Sequence, residues 1–294
     1  MRNVNPNFYL ALIFCFILFI SGRQLAELPC DGKTKRIIIL VLSILALPSL
    51  LFPLGYFDFF GWSPLYSAFR AVNRIEITTS LIAPLLGFTT HYRKRGRLND
   101  DGLYPAPIAQ LMKLRPFAFP FCLLFVAACF IKPIVLPIDN EHEFSDTWNS
   151  GVMMQSSSFT SAPAALATAM HAANGWTGPE EDIARGVFTC ATGTENWYLA
   201  RYATESGYKV KYSTQSNIMD VTAPSIAMVK TNGDSHFIVV LGTGRGSVDV
   251  GDPLLGRLSL SPEEFASQYE FAGFTMGIEK EENTAYEDIE EQKG

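Results

Sequence analysis

Four long apolar stretches within the first 138 residues constrain this chain more than any other sequence feature. They are Phe8–Ser21, Ile37–Phe57, Ala71–Thr90 and Pro116–Ile138. A helix needs about 20 consecutive apolar residues to cross the hydrocarbon core of a bilayer. The second and fourth stretches reach that length, the first reaches it when it is extended to Val4, and the third carries Arg74 and Glu76 near its start. The sequence therefore predicts a membrane region over residues 1–138 with about four transmembrane helices.

Charge is divided unevenly along the chain. Residues 1–137 carry a net charge of +8 and residues 138–294 carry −14, which together give the total of −6. A basic, apolar first half followed by an acidic second half predicts a membrane part joined to a soluble part, with the lipid bilayer as a partner. The acidic soluble half argues against nucleic acid as a partner, because nucleic-acid-binding domains are basic.

The loops between the apolar stretches predict an orientation. Ten Lys and Arg residues follow the first and third stretches, whereas four lie on the other side. Positive loops stay in the cytoplasm. With four spans, both termini and the soluble half then lie outside the cytoplasm. If the third stretch does not cross, the soluble half lies inside, and both alternatives stay open. The aromatic segment Phe59–Arg70 is typical of a membrane interface.

Cysteine usage in the soluble half excludes two kinds of stabilisation. Cys190 is the one cysteine after residue 138, so no disulfide can form within this half. No pair among the five cysteines has the spacing of metal ligands, so the sequence predicts neither a metal site nor a cofactor.

The soluble half predicts helices first and strands later, which is an α+β order. Ser161 is a favourable helix N-cap, and Asn174-Gly175 is a helix stop. The predicted helices are Ala162–Ala173, Glu180–Arg185, Glu195–Glu205 and Ser261–Tyr269, and the predicted strands are Tyr208–Tyr212, Ser225–Val229, His236–Leu241, Ser247–Val250 and Gly273–Ile278. The predicted domains are the membrane region 1–138, a polar linker 139–152, a folded domain 153–278 and an acidic disordered tail 279–294.

Four residues of the folded domain form a plausible catalytic set. Ser161 lies at a helix start, with Gln155 six residues before it. His236 begins one predicted strand, and Asp252 follows the next one. A hairpin of these strands would let Asp252 orient His236. A nucleophile, a base, an orienting acid and an amide that can bind an oxyanion are the parts of a papain-type acyl-transfer site.

Two segments carry a resemblance to a known family. "QSSSFTSAPAALATAM" resembles a motif of Gln, five residues and then CGPAALA, and "HFIVVLGTGRGSVDVGDPLLGRLSLSPEEF" resembles the segment that holds the family's His and Asp. The family is peptidase C39, the bacteriocin-processing double-glycine peptidases, and the resemblance covers about Met153–Ile278. It implies a papain-like cysteine-peptidase fold, with Gln155 in the oxyanion hole, Ser161 at the nucleophile position, His236 as general base and acid, and Asp252 as its orienting partner.

The chain departs from the family pattern at the nucleophile. Ser161 stands where the family has cysteine, and Ala162 stands where it has glycine. Papain-like sites lower the pKa of a cysteine thiol to form a resting thiolate, which a hydroxyl cannot match. We therefore expect the fold and substrate binding to persist while most activity is lost. Three alternatives remain: an engineered inactive form, a natural pseudo-peptidase, and a working serine hydrolase.

Together these features predict a membrane-anchored endopeptidase that is inactive in this form. The alternative function is a pseudo-peptidase that binds a peptide or partner protein at the membrane without cleavage. The family resemblance implies a bacterial protein with a peptide or protein substrate. The apolar stretches and the distribution of Lys and Arg then predict an inner-membrane protein with its soluble domain on the extracytoplasmic side. The sequence contains no GxxxxGK[ST] phosphate-binding motif. A separate membrane or export protein is therefore a further candidate partner.

Overall fold

The computed structural model describes residues 5–56, 59–94, 116–139, 142–231 and 233–281. These residues form two compact units. One, the apolar helical unit, comprises Val4–Gly61 and Arg74–Val135. The other, the α+β unit, comprises Trp62–Asn73 and the chain from Leu136 onward.

The helices and strands are numbered in chain order. The described α-helices are α1 (Pro6–Glu27), α2 (Gly32–Tyr56), α3 (Pro64–Ala71), α4 (Ala83–Lys94), α5 (Ala118–Ala128), α6 (Ile131–Val135), α7 (Ser161–Asn174), α8 (Glu180–Gly186), α9 (Asn196–Glu205) and α10 (Pro262–Gln268). The described strands are β1 (Trp148–Asn149), β2 (Val152–Met153), β3 (Tyr208–Thr214), β4 (Ser225–Thr231), β5 (Asp234–Gly244), β6 (Ser247–Asp252), β7 (Gly256–Leu260) and β8 (Glu270–Lys280).

Two helices of the apolar helical unit are long and apolar enough to cross a membrane. They are Pro6–Glu27 and Gly32–Gly55. Their outward side chains are apolar, and Ile13 and Leu40 are 55% and 60% exposed. This finding suggests membrane association, because water-soluble surfaces rarely present apolar faces of this extent.

The third and fourth predicted spans are not continuous α-helices. α3 ends at Ala71, Arg74 adopts a left-handed backbone with φ of 62°, and a 3₁₀ helix over Ile75–Ile82 then leads into α4. The fourth stretch is divided between α5 and α6. The membrane crossing of these two stretches stays a prediction.

The contact between α1 and α4 depends on two glycines. A Cβ atom at Gly22 would lie 2.1 Å from the Pro84 carbonyl oxygen, and one at Gly87 would lie 2.1 Å from the Phe19 carbonyl oxygen. Small residues let two backbones approach this closely, which is a common way to pack helices in a membrane. Any larger side chain at either position would force α1 and α4 apart.

The α+β unit is built on a six-stranded antiparallel sheet of order β3-β8-β4-β5-β6-β7. One face packs against α7 through buried side chains such as Leu166, Met170 and Val239. The other face buries Ile238 and Val250 beneath α10 and its neighbours. Alternate residues of β5 therefore serve two cores, which explains why its central sequence is apolar without interruption.

The structure extends and corrects the predicted elements. All five predicted strands are present, and the structure adds β7 and the short β1–β2 pair, which extends from the end of the predicted linker to Met153. Ser161 is not the N-cap of α7 as predicted, because Thr160 occupies that position and Ser161 is the first helical residue. The helix stop at Gly175 has the left-handed φ of 69° that glycine permits. The disordered tail was predicted to begin at Glu279, but β8 continues to Lys280, and the rest of that tail from residue 282 lies outside the described residues.

The segment Trp62–Asn73 belongs to the α+β unit, although the sequence predicted Phe59–Arg70 to lie at a membrane interface. The Trp62 ring lies 5.9 Å from the Phe237 ring and 5.4 Å from the Phe274 ring. The Arg70 guanidinium lies 4.1 Å from the Trp197 ring centre. Aromatic and cation–π contacts of this kind pack the segment onto the sheet and α9.

Candidate active site

Ser161 lies where the α7 helix begins. The following residues Ala162–Met170 are all buried, so α7 is a core helix whose N-terminus is fixed by packing. Ser161 itself remains partly exposed. The N-terminal end of a helix carries partial positive charge and free backbone N–H groups. This position therefore suits a nucleophile and an oxyanion donor.

His236 and Asp252 are brought together by the antiparallel pairing of β5 and β6, in which Val239 lies opposite Gly251. The distance between His236 Nε2 and Asp252 Oδ1 is 2.9 Å. Both residues are buried. Because an ionised carboxylate can only accept, Nε2 carries the hydrogen and donates a hydrogen bond to Asp252. The other ring nitrogen, Nδ1, is then left as a proton acceptor.

Asp252 is held in its ionised form by three donors. Burial by itself raises the pKa of this carboxyl, but hydrogen bonds from His236, Tyr269 and the Leu254 N–H outweigh it and lower the pKa below its usual range. The Leu254 N–H donates to Oδ1 at 2.7 Å, and the Tyr269 hydroxyl donates to Oδ2 at 2.5 Å. A charged Asp252 is what orients His236 and stabilises its protonated form.

Tyr269 is a site residue that the sequence prediction missed. It follows α10, and burial together with its bond to Asp252 raises the pKa of its hydroxyl, which keeps it protonated and able to donate. No sequence signal marks it, since it has the pattern of an ordinary apolar residue at a helix end. Its role depends on the packing of α10 onto the sheet.

Gln155 is tied to the turn that follows Asp252. Its backbone N–H donates to the Pro253 carbonyl oxygen at 2.9 Å. Its side-chain Nε2 donates to the Ser157 carbonyl oxygen at 2.7 Å, and its Oε1 is buried without a hydrogen-bond partner in the described part of the chain. Nε2 has a second hydrogen that this bond does not use. That hydrogen is the one available to an oxyanion.

The structure joins three of the four predicted residues through direct bonds or a shared turn. His236 contacts Asp252, and Gln155 contacts the residue after Asp252. Within the described residues, the Ser161 hydroxyl makes no hydrogen bond. Catalytic hydrogen bonds are often long before substrate binds. The arrangement therefore contains the groups for acyl transfer without a formed bond between nucleophile and base.

Comparison with known proteins shows which family this part of the chain resembles. Residues 149–283 match the model of the Peptidase C39 family. The resemblance seen in the sequence is confirmed. We call the part of the α+β unit that starts at residue 149 the C39-like domain.

The matches cover this domain. An uncharacterized protein of Methanothermobacter marburgensis is 29% identical over 132 residues, which are 45% of this chain and 90% of the relative. An uncharacterized protein of Methanothermobacter thermautotrophicus is 29% identical over 129 residues, which are 44% of this chain and 88% of the relative. Both matches thus cover less than half of this chain.

Two solved structures are also similar to this part of the chain. The peptidase domain of Streptococcus ComA, a bi-functional ABC transporter involved in quorum sensing, shares 21% identity and a TM-score of 0.39 over 44% of this chain and 98% of that domain. A double glycine motif protease from an AMS/PCAT transporter, solved in complex with the leader peptide, shares 22% identity and a TM-score of 0.38 over 44% of this chain and 90% of that protein.

Proposed function

We propose that the C39-like domain is an acyl-transfer site for a peptide substrate, and that Ser161 makes this form inactive or nearly so. The observation that carries the proposal is the buried His236–Asp252 pair, with Nε2 and Oδ1 2.9 Å apart. An ionised carboxylate such as Asp252 is costly to bury. The pair is connected through the turn after Asp252 to Gln155, whose amide has an unused N–H, and this supports a catalytic use.

Each residue has a role in the proposed reaction. His236 Nδ1 takes the proton of the nucleophile at position 161 while that nucleophile attacks the peptide carbonyl carbon. Gln155 Nε2 and the backbone N–H of residue 161 donate to the oxyanion. His236 then gives its proton to the leaving amine, and a water molecule hydrolyses the acyl group by the same steps.

The alternative is a domain that binds a peptide or partner protein without cleaving it. The specific observation in its favour is the Ser161 hydroxyl, which has no hydrogen bond to a base in the described residues. A serine nucleophile needs base assistance during the attack. The double glycine motif protease was solved in complex with a leader peptide. This supports a peptide as the ligand for either function.

The test is the reactivity of the Ser161→Cys variant toward a mild thiol electrophile. We expect labelling about 10-fold or more faster at pH 7 than in Ser161→Cys/His236→Ala, and still fast near pH 5.5. A His-paired cysteine is a thiolate at these pH values, whereas an ordinary thiol with a pKa of about 8.5 is mostly protonated. The five native cysteines are replaced in both proteins. Slow labelling that does not depend on His236 would favour the binding function.

We also propose that α1 and α2 cross the membrane and that the C39-like domain lies on the extracytoplasmic side. Trp62–Asn73 and the C39-like domain belong to one compact unit. Two parts in direct contact must lie on the same side of a bilayer. The chain between Asn73 and Leu136 must therefore cross an even number of times. If the fourth stretch crossed the membrane and the third did not, Trp62–Asn73 and the C39-like domain would lie on opposite sides. Their contact within one unit is incompatible with that arrangement.

Orientation then depends on α1 and α2 alone. The helix ends that flank this loop carry Arg23 in α1 and Lys33, Lys35 and Arg36 in α2, which favours the cytoplasm for the loop. The segment after α2 then lies outside, and so does the C39-like domain, whether the third and fourth stretches both cross or neither does. The contact of Trp62–Asn73 with the sheet therefore supports an extracytoplasmic location for the C39-like domain, whatever the number of membrane spans.

Native and introduced cysteines test this topology in intact cells. Cys30 lies in the loop between α1 and α2, and Leu65 and Leu254 are 84% and 55% exposed on the α+β unit. We expect a membrane-impermeant maleimide to label Leu65→Cys and Leu254→Cys in whole cells, in a protein without other cysteines. Cys30 alone should react only after permeabilisation. Labelling of Leu65→Cys and Leu254→Cys from opposite sides would overturn the even crossing.

A further inference from the structure

Glu180 is a buried carboxylate that the proposed reaction does not use. It is the first residue of α8 and is fully buried. Its own N–H donates to Asp146 Oδ1 at 2.7 Å. Its carboxylate faces the loop over residues 156–160, which connects Gln155 to Ser161.

Donors from this loop converge on the Glu180 carboxylate. The Ser156 N–H donates to Oε1 at 3.3 Å, and the Ser156 hydroxyl donates to Oε2 through a short hydrogen bond. The Thr160 hydroxyl, which donates to the Ser157 carbonyl oxygen at 3.2 Å, also acts to lower the pKa of Glu180. The Ser145 N–H donates to the Ser156 hydroxyl oxygen at 2.8 Å, so that hydroxyl has its own proton free for Glu180.

The same loop is connected to the proposed oxyanion hole. The Gln155 Nε2 donates to the Ser157 carbonyl oxygen, and the Ser157 N–H donates to the Thr160 hydroxyl oxygen at 3.0 Å. Thr160 is in turn the N-cap residue of α7. A shift of residues 156–160 would therefore move both Gln155 and the backbone N–H of Ser161.

We propose that Glu180 is a positioning residue that holds the loop 156–160 in the shape required for the oxyanion hole. The inference rests on the proposed function of Gln155 and Ser161. It assigns to Glu180 an effect on catalysis that acts through the loop, without contact with the substrate.

The effect of the Glu180 charge on stability distinguishes a positioning role from a purely structural one. Burial raises the pKa of Glu180, and hydrogen bonds from Ser156 and Thr160 oppose that effect. Within the described chain, Asp146 is the charged group that acts on Glu180, and it also raises the pKa. A raised folded-state pKa means that the charged form costs stability above that pKa. Removing the charge should therefore leave stability unchanged or increase it.

Glutamine at position 180 keeps the shape of the side chain but has one hydrogen-bond acceptor oxygen instead of two. One carboxylate oxygen becomes an NH₂ group, which would face the Ser156 and Thr160 hydroxyls as a third donor. The loop should then shift away from Gln155. Misplacement by about 1 Å can lower a rate about 100-fold. We expect Glu180→Gln to lower kcat for peptide cleavage about 10- to 100-fold with little change in KM or in the melting temperature.

The experiment compares Glu180→Gln with Glu181→Gln, both in the full-length Ser161→Cys protein. Glu181 is a matched control because its carboxylate is exposed and pairs with Arg185 on the surface. We expect Glu181→Gln to keep kcat within about twofold. Protonation of Glu180 at acidic pH should disturb the loop 156–160 and lower kcat. We expect this fall of kcat to be absent in Glu180→Gln, since glutamine does not titrate.

Amide hydrogen exchange tests the inference independently of catalysis. We expect the Ser156 and Ser157 amides to exchange faster in Glu180→Gln than in Glu181→Gln. Unchanged exchange at these amides, or a loss of activity that follows a lower melting temperature, would overturn the positioning role. The His236-dependent labelling of Ser161→Cys tests the proposed function by itself, so the two failures are distinguishable.

Discussion

Replacing Asp252 with asparagine in the Ser161→Cys protein is expected to lower kcat for peptide cleavage by about 100-fold. Asp252 accepts a hydrogen bond from His236 Nε2 at 2.9 Å, and its charge stabilises the protonated imidazole that pairs with a thiolate at position 161. Asparagine can still hold the ring through a hydrogen bond to Nε2, but it carries no charge. The thiolate–imidazolium pair would then be less populated and the nucleophile weaker.

The matched control is Asp249→Asn on the same strand. Asp249 forms a surface ion pair with Arg257, with 3.3 Å between the charged atoms, and it makes no contact with His236. Surface pairs of this kind contribute little to stability, so we expect kcat within about twofold of the Ser161→Cys protein. The measurement is steady-state cleavage of a peptide with small residues at the cut. Equal rates for the two variants would contradict the role of Asp252.

Replacing Arg201 with alanine is expected to lower the free energy of unfolding of the α+β unit by about 3 kcal/mol. Arg201 Nη2 donates through a short bond to the Arg70 carbonyl oxygen, and its Nε donates to the Ala71 carbonyl oxygen at 3.3 Å. These are carbonyls at the C-terminal end of α3, which have no partner within the helix. Alanine would leave both without this donor.

Arg257→Ala provides the control for the loss of an arginine. Its guanidinium is half exposed, so its removal should change the unfolding free energy by no more than about 0.5 kcal/mol. Denaturant unfolding of the purified full-length protein, followed by tryptophan fluorescence, measures both variants. We also expect α3 to be cut more readily by protease in Arg201→Ala. Equal stability of Arg201→Ala and Arg257→Ala would show that α3 is not held by Arg201.

The elements that the sequence predicted well are those with local causes. α7 is found where a run of alanines and a terminal glycine predicted it. β5 and β6 follow from two apolar runs separated by a short glycine-rich turn, and their hairpin brings His236 to Asp252. Both members of this pair lie within sixteen residues of each other, so a single turn is sufficient to predict their contact.

The features that the sequence did not predict depend on packing between elements that no single short turn joins. Trp62 packs against Phe237 and Phe274, more than 170 residues away in the sequence. Glu180 bonds to Ser156, and Tyr269 bonds to Asp252, across separate elements. Aromatic and acidic residues of this kind have many other uses in a protein, so their type alone does not identify their partners.

The sequence by itself determined the α+β order of the soluble half, the apolar character of the first half and the choice of Gln155, Ser161, His236 and Asp252 as candidates. Hydrophobic periodicity, turn residues and motif spacing involve residues that are close in the sequence, so they can be recognised from the sequence itself. The tertiary structure alone decided that Trp62–Asn73 packs on the sheet and that Glu180 faces the loop before Ser161. Such contacts form only when several elements pack together, because burial and hydrogen bonding select among many partners of similar chemistry.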